Sequence, residues 1–193
     1  MGKIKYLHQI KEFCRKSPVV DIYSLKKLIG ENKEYVHLML NKLVQQHELY
    51  RITRGMYSTH DDPVLAVFCF KPAYIGLQEA LSIHNLWEQE TNAVILSTKI
   101  VREGVRNVFG NNILIKRLKP EYFFGFEYIQ YGDWVVPVSD IEKTCIDMAY
   151  FNQPIDKQLM HEFKKRINKK KLKEYLEKYD KNIREKVLDL MKE

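Results

Sequence analysis

The sequence predicts an α+β protein, with an N-terminal winged helix-turn-helix followed by an α+β domain that carries a small, mostly antiparallel sheet and ends in C-terminal helices. Three observations predict it. Short helical stripes and a glycine hairpin fill residues 1–60. Runs of branched apolar residues bounded by turn formers follow between 93 and 138. From Asp156 onward, apolar residues return to helical spacing. The domains divide at 1–60 and 61–193, with residues 154–193 as a helical tail.

In the first domain, KIKYLHQIKEFCRK (3–16) sets Ile4, Leu7, Ile10 and Phe13 or Cys14 on one side of an amphipathic helix. Ser17-Pro18 ends it, because the residue before proline avoids the helical region. Val19 to Asp21 is a short extended piece. Leu25, Leu28 and Ile29 line a second helix that Gly30 closes. After a turn at Glu31-Asn32, a third helix runs from Lys33 to about Gln46. Its inner face is Val36, Met39, Leu40, Leu43 and Val44. Leu49 to Ile52 and Met56 to Ser58 flank Thr53-Arg54-Gly55, a hairpin whose glycine supplies the unusual backbone angle.

In the second domain, Asp61-Asp62-Pro63 is a helix start, so the apolar run Val64–Phe70 reads as helix. Leu77, Ala80, Leu81 and His84 form another helical stripe. Strands are expected at Ala93–Thr98, Asn112–Lys116, Phe126–Tyr131 and Trp134–Val138, the last two joined at Gly132-Asp133. Ser139-Asp140-Ile141-Glu142 fits a capping box opening a helix with Ile141, Cys145 and Met148. Phe123, Phe124 and Trp134 read as core. In the tail, Asp156 caps a helix with Leu159, Met160, Phe163 and Ile167. Two further stripes follow, Leu172 to Tyr179 and Ile183 to Met191.

The chain of 193 residues carries a formal charge of +7, but unevenly. Residues 1–60 hold 11 Lys/Arg against 5 Asp/Glu, residues 61–153 hold 8 against 12, and residues 154–193 hold 13 against 8. Both ends suit polyanions and the middle does not. No apolar run approaches the roughly 18 residues that span a bilayer, so no membrane partner is expected. The N-terminus lacks a signal-peptide pattern, so a cytoplasmic protein is expected. Cys14, Cys69 and Cys145 are far apart, without a Cys-x-x-Cys pair, and read as buried thiols.

Packing the second helix against the third turns the third helix's outer face toward a major groove. That face holds Lys33, Tyr35, His37, Leu38, Asn41, Lys42 and Gln45. Asn41 and Gln45 suit adenine edges, Lys33 and Lys42 suit phosphate or guanine, and Leu38 offers at most contact with a thymine methyl. Arg51, Thr53 and Arg54 make the hairpin a wing for phosphate or the minor groove. The candidate DNA-binding set is therefore Lys33, Tyr35, His37, Asn41, Lys42, Gln45, Arg51, Thr53 and Arg54, on double-stranded DNA. No phosphate loop, dinucleotide fingerprint, zinc-protease motif or nucleophile elbow is present, so no catalytic residue, cofactor or metal is expected and the chain reads as no enzyme. Two rival classes stay open. One is a winged-helix protein-interaction module that never touches DNA. The other is a metal-dependent nuclease built on Asp133, Asp140, Glu142 and Lys143. His60-Asp61-Asp62 reads as a capping turn rather than a metal site.

The segment from Leu43 to Met148 resembles the AbiEi-type antitoxins, a family of winged-helix transcriptional regulators. The resemblance runs in order through Arg51-Ile-Thr-Arg-Gly-Met-Tyr57, Asp62-Pro63, Tyr74-Ile-Gly-Leu-Gln-Glu-Ala-Leu81, Ser82-Ile-His84, Leu86, Phe109-Gly110, Pro120, Phe123-Phe-Gly125 and Val138-Ser-Asp-Ile-Glu-Lys143. It implies a repressor that binds operator repeats near its own promoter, in an operon that also encodes a nucleotidyltransferase-like toxin. It carries no catalytic residues. Leu38 stands where family members commonly have a polar or basic residue, and Asn85 replaces the glycine before Leu86. Regulators of this architecture bind repeated half-sites as dimers, so a homodimer on DNA is expected.

Overall fold

A computed structural model describes residues 6–88 and 92–192. The chain divides into two compact units, one of residues 6–69 with 107–111, the other of 70–106 with 112–192.

In the first unit, α1 (Leu7–Lys16) presents Ile10 and Cys14 to the interior; Ile4, expected on the same face, lies outside the described residues. A two-residue strand, β1 (Val20–Asp21), leads directly into α2 (Ile22–Ile29). The Asp21 carboxylate caps α2, accepting from the amides of Tyr23 (2.9 Å) and Ser24 (3.0 Å) and from the Ser24 hydroxyl (2.6 Å). Gly30, at φ 72°, ends the helix as expected. Asn32 caps α3 (Lys33–Gln45) by accepting from the Tyr35 amide at 2.8 Å. Val36, Met39, Leu40 and Leu43 bury the inner face of α3 against Leu25 and Ile29 of α2, Ile10 and Cys14 of α1, and Tyr57. Leu28 was expected in that face but is 38% exposed. On a helix of only eight residues, Leu25 and Ile29, one turn apart, suffice for the contact.

β2 (Tyr50–Thr53) and β3 (Met56–Ser58) form the expected hairpin, and β1 pairs antiparallel with β3 to complete a three-stranded sheet in the order β1–β3–β2. Gly55 turns the hairpin at φ 77°. Residues Pro63–Cys69 form a 3-10 helix rather than an α-helix, with the Asp62 carboxylate accepting from the Val64 amide.

The second unit holds a six-stranded sheet in the order β6–β7–β5–β4–β9–β8, formed by β4 (Ala73–Ile75), β5 (Val94–Ser97), β6 (Gly104–Val108), β7 (Asn111–Arg117), β8 (Phe126–Tyr131) and β9 (Trp134–Ser139). The sheet combines antiparallel and parallel pairs. β4 pairs antiparallel with β5, and β8 with β9, but β5 runs parallel to β7 and β4 parallel to β9. The sheet is mixed because its central strands come from distant stretches of chain, which local hairpin signals do not register.

Helix α4 (Leu77–Ile83) follows β4, and α5 (Ile141–Tyr150) follows β9. The last helices are α6 (Lys157–Arg166), α7 (Lys169–Leu176) and α8 (Lys181–Lys192). Tyr74, Leu81, Leu96, Ile146, Phe163, Leu176 and Val187 form one core from sheet and helices. The expected capping box at Ser139–Glu142 is also corrected. The cap is Asp140, which accepts from the Lys143 amide at 2.8 Å, so the helix starts one residue later than the box requires. All three cysteines are buried outside any disulfide, and burial pushes the Cys14 thiol up to about 11 and the Cys145 thiol up to about 12. Among the described residues, no helix is long and apolar enough to cross a membrane.

Candidate nucleic-acid interface

The packing of α2 on α3 leaves a cleft of about 710 Å³ between these helices and the β2–β3 hairpin. Its walls are assembled locally. The Ile22 amide donates to the Gly55 carbonyl at 2.8 Å, which ties the hairpin turn to the first residue of α2. An added residue, Ile52, breaks the register of β2 on β3 between Arg51 and Thr53. Ile52 is buried, and such a bulge re-aims the residues that follow it. Arg51 and Arg54 both line the cleft.

Of the residues expected from sequence, Lys33, His37, Asn41, Arg51 and Arg54 line the cleft together. The first three stand one turn apart along α3. Tyr35, Lys42, Gln45 and Thr53 do not line it. The Tyr35 ring lies edge-on to Tyr6, with centroids 6.4 Å apart, and Lys42 and Gln45 are exposed elsewhere on the helix surface. Thr53 is half-buried and opposite Met56 in the hairpin.

Among the cleft residues that were not expected are Tyr23 and Lys26 of α2. Tyr23 is 80% exposed, against 38% for Tyr35 on α3. A sequence signal for both existed, since burying Leu25 and Ile29 leaves Tyr23 on the far side of a short helix and Lys26 on its flank.

The charge of the cleft is one-sided. Lys26, Lys33, Arg51 and Arg54 face it, and among the described residues none of the four has a carboxylate partner. Asp21 is the one carboxylate among the lining residues, and its oxygens are taken up by the cap of α2. The Ser24 hydroxyl, with the Ser24 and Tyr23 amides, holds the Asp21 carboxyl below its usual range. Four uncompensated cations around a concave surface attract phosphate and raise local counter-ion concentration.

The four residues of the nuclease alternative are placed differently. Asp133 sits in the exposed β8–β9 turn. Asp140 caps α5, and its second oxygen accepts from the Tyr175 hydroxyl at 2.8 Å and meets Lys171 at 3.1 Å. Glu142 accepts from the Asn168 amide at 2.7 Å and meets the same lysine at 3.1 Å. Lys143 is wholly buried and paired with Asp147, which also accepts from the Tyr74 hydroxyl at 2.8 Å. The lysine ammonium lies 5.4–5.7 Å from the ring centroids of Tyr74, Phe124 and Tyr179. Burial lowers the Lys143 ammonium and raises the Asp147 carboxyl and the Tyr74 phenol. Asp140, Glu142 and Lys143 are thus held by partners within the fold, and Asp133 stands apart from them. Among the described residues, no three His, Cys, Asp or Glu side chains are grouped to hold a metal ion.

Compared with models of known protein families and with curated protein sequences, the chain matches none.

Proposed function

We propose that the chain is a sequence-specific, double-stranded DNA-binding transcriptional regulator. The element order helix, strand, helix, helix, hairpin is that of a winged helix, with α3 as the reading helix and the β2–β3 hairpin as the wing. The observation that carries the reading is the cleft between them, faced by Lys26, Lys33, Arg51 and Arg54, which have no carboxylate partner among the described residues. Cations so placed neutralise phosphates, and each neutralised phosphate releases counter-ions. Affinity for duplex DNA therefore falls steeply with salt. Arg54→Ala weakens binding across all sequences by a similar factor and lowers the salt slope by about 0.9. An electrophoretic shift series from low to moderate salt tests this. Absence of duplex binding at low salt overturns the reading and leaves the protein-docking alternative.

Within that reading, the protein acts in the cytoplasm, without cofactor or catalytic residue, as an antitoxin-like autorepressor. It binds operator repeats as a homodimer and is encoded beside a nucleotidyltransferase-like toxin. The resemblance from Leu43 to Met148 supports this part. A toxin gene next to this one, with growth rescued when both are expressed, is the expected result. Without such a neighbour, transcriptional control alone remains.

A further inference from the structure

An α-helix turns 100° per residue, so the buried side of α3 fixes what points directly away from the protein. Val36, Met39, Leu40 and Leu43 are buried. Opposite them stands the row Glu34, Leu38, Asn41 and Gln45, all exposed. Lys33 and His37 lie to the cleft side of this row. The outermost line of α3 is therefore not cationic. It presents a carboxylate, an isobutyl group and two carboxamides in sequence.

Leu38 stands out in this row. It is 70% exposed, and its neighbours one turn away along the row are polar, Glu34 on one side and Asn41 on the other. A lone exposed leucine on an ordinary surface needs no explanation. At the centre of a helix face that enters the major groove, it meets base edges. There the thymine 5-methyl group is the largest apolar feature a base pair displays, and the donors and acceptors beside it want hydrogen bonds that leucine cannot give. We infer that Leu38 is a specificity-determining residue that reads the 5-methyl group of a thymine. The three-residue offset to Asn41 is about 4.5 Å along the helix axis, little more than one base step of about 3.4 Å. The half-site thus pairs this thymine with an adenine one or two steps away, on the Asn41 carboxamide. The inference rests on the DNA-binding reading of the cleft.

The test starts from a duplex enriched by the full-length protein from a randomised pool. Each thymine in it is replaced in turn by deoxyuridine, which deletes one methyl group and keeps every hydrogen bond. One position per half-site should weaken wild-type binding about three- to fivefold, the worth of one buried carbon. Leu38→Ala, an exposed and helix-compatible change, should bind the thymine and deoxyuridine duplexes equally. If every deoxyuridine duplex binds wild type as tightly as its parent, or if the loss persists undiminished in Leu38→Ala, the inference falls and the DNA reading stands. If the pool yields no enriched sequence, both fall.

Discussion

The Lys143–Asp147 pair shows what a single residue carries in this fold. Both side chains are wholly buried one turn apart on α5, with the rings of Tyr74, Phe124 and Tyr179 around them. Removing water from two charges costs several kcal/mol each, and their attraction offsets this only while both are present. Lys143→Met therefore leaves a buried carboxylate without its cation and should cost about 3–5 kcal/mol in urea unfolding. The double change Lys143→Met with Asp147→Leu should recover most of that loss. A single variant within about 0.5 kcal/mol of wild type would mean that the pair is not buried as described. Gly125 limits the same region. At φ 69°, a Cβ there would sit 2.7 Å from the Tyr175 ring and 3.0 Å from Cβ of Lys143. Gly125→Ala should destabilise the second unit by about 1–3 kcal/mol, read from the same unfolding curves.

The helix caps govern the next scale up, and α2 is the one that bears on the cleft. Asp21 supplies three hydrogen bonds to the first turn of an eight-residue helix. Asp21→Ala should cost about 0.5–2 kcal/mol. Because the native carboxyl lies below its ordinary value of 3.8, its stabilisation is fully present above that value and is lost as pH falls through the native one. Asp21→Asn keeps the cap without the titration, so its unfolding midpoint should depend less on pH between 5 and 3 than that of wild type. Equal acid dependence in the two proteins would show that Asp21 does not carry this effect. The caps and turns at Gly30, Asn32, Gly55 and Asp156 were legible in the sequence, because each depends on one residue type at one backbone position. Strands β4 and β6 were not. Ala73–Ile75 is three residues beside Lys71-Pro72, too short to show a period, and Gly104–Val108 is broken by Arg106 and Asn107. β4 lies between β5 and β9 and β6 lies beside β7, and such pairing overrides weak local preference. The Lys143–Asp147 pair was not legible either: the sequence offers Lys143 as a site residue only in the nuclease alternative and does not single out Asp147, yet both are wholly buried.

At the scale of the whole molecule, the question is which of the segregated charges the fold uses internally. In the C-terminal helices several cations are committed. Arg166 donates to the His84 carbonyl at 2.7 Å, Lys171 bridges Asp140 and Glu142, Lys178 lies over the Phe124 ring, and Lys186 donates to the Ala149 carbonyl. Lys165, Lys169, Lys170 and Lys173 are exposed, and none has an ion-pair partner among the described residues. Net charge alone does not distinguish these lysines from the cleft cations, because phosphate contacts position a protein on DNA without reading its sequence. Base discrimination does distinguish them. If reading resides on α3, replacing Lys165, Lys169 and Lys170 with Gln leaves the ranking of preferred sequences unchanged, whatever it does to affinity. Gln at Asn41 and Asn at Gln45 should change that ranking, because each moves a carboxamide relative to a base edge by about one methylene. Competition binding against single-base variants of the enriched duplex measures both. A shifted ranking in the lysine variant, with the Asn41 and Gln45 variants unchanged, would move base reading from the first unit to the C-terminal helices.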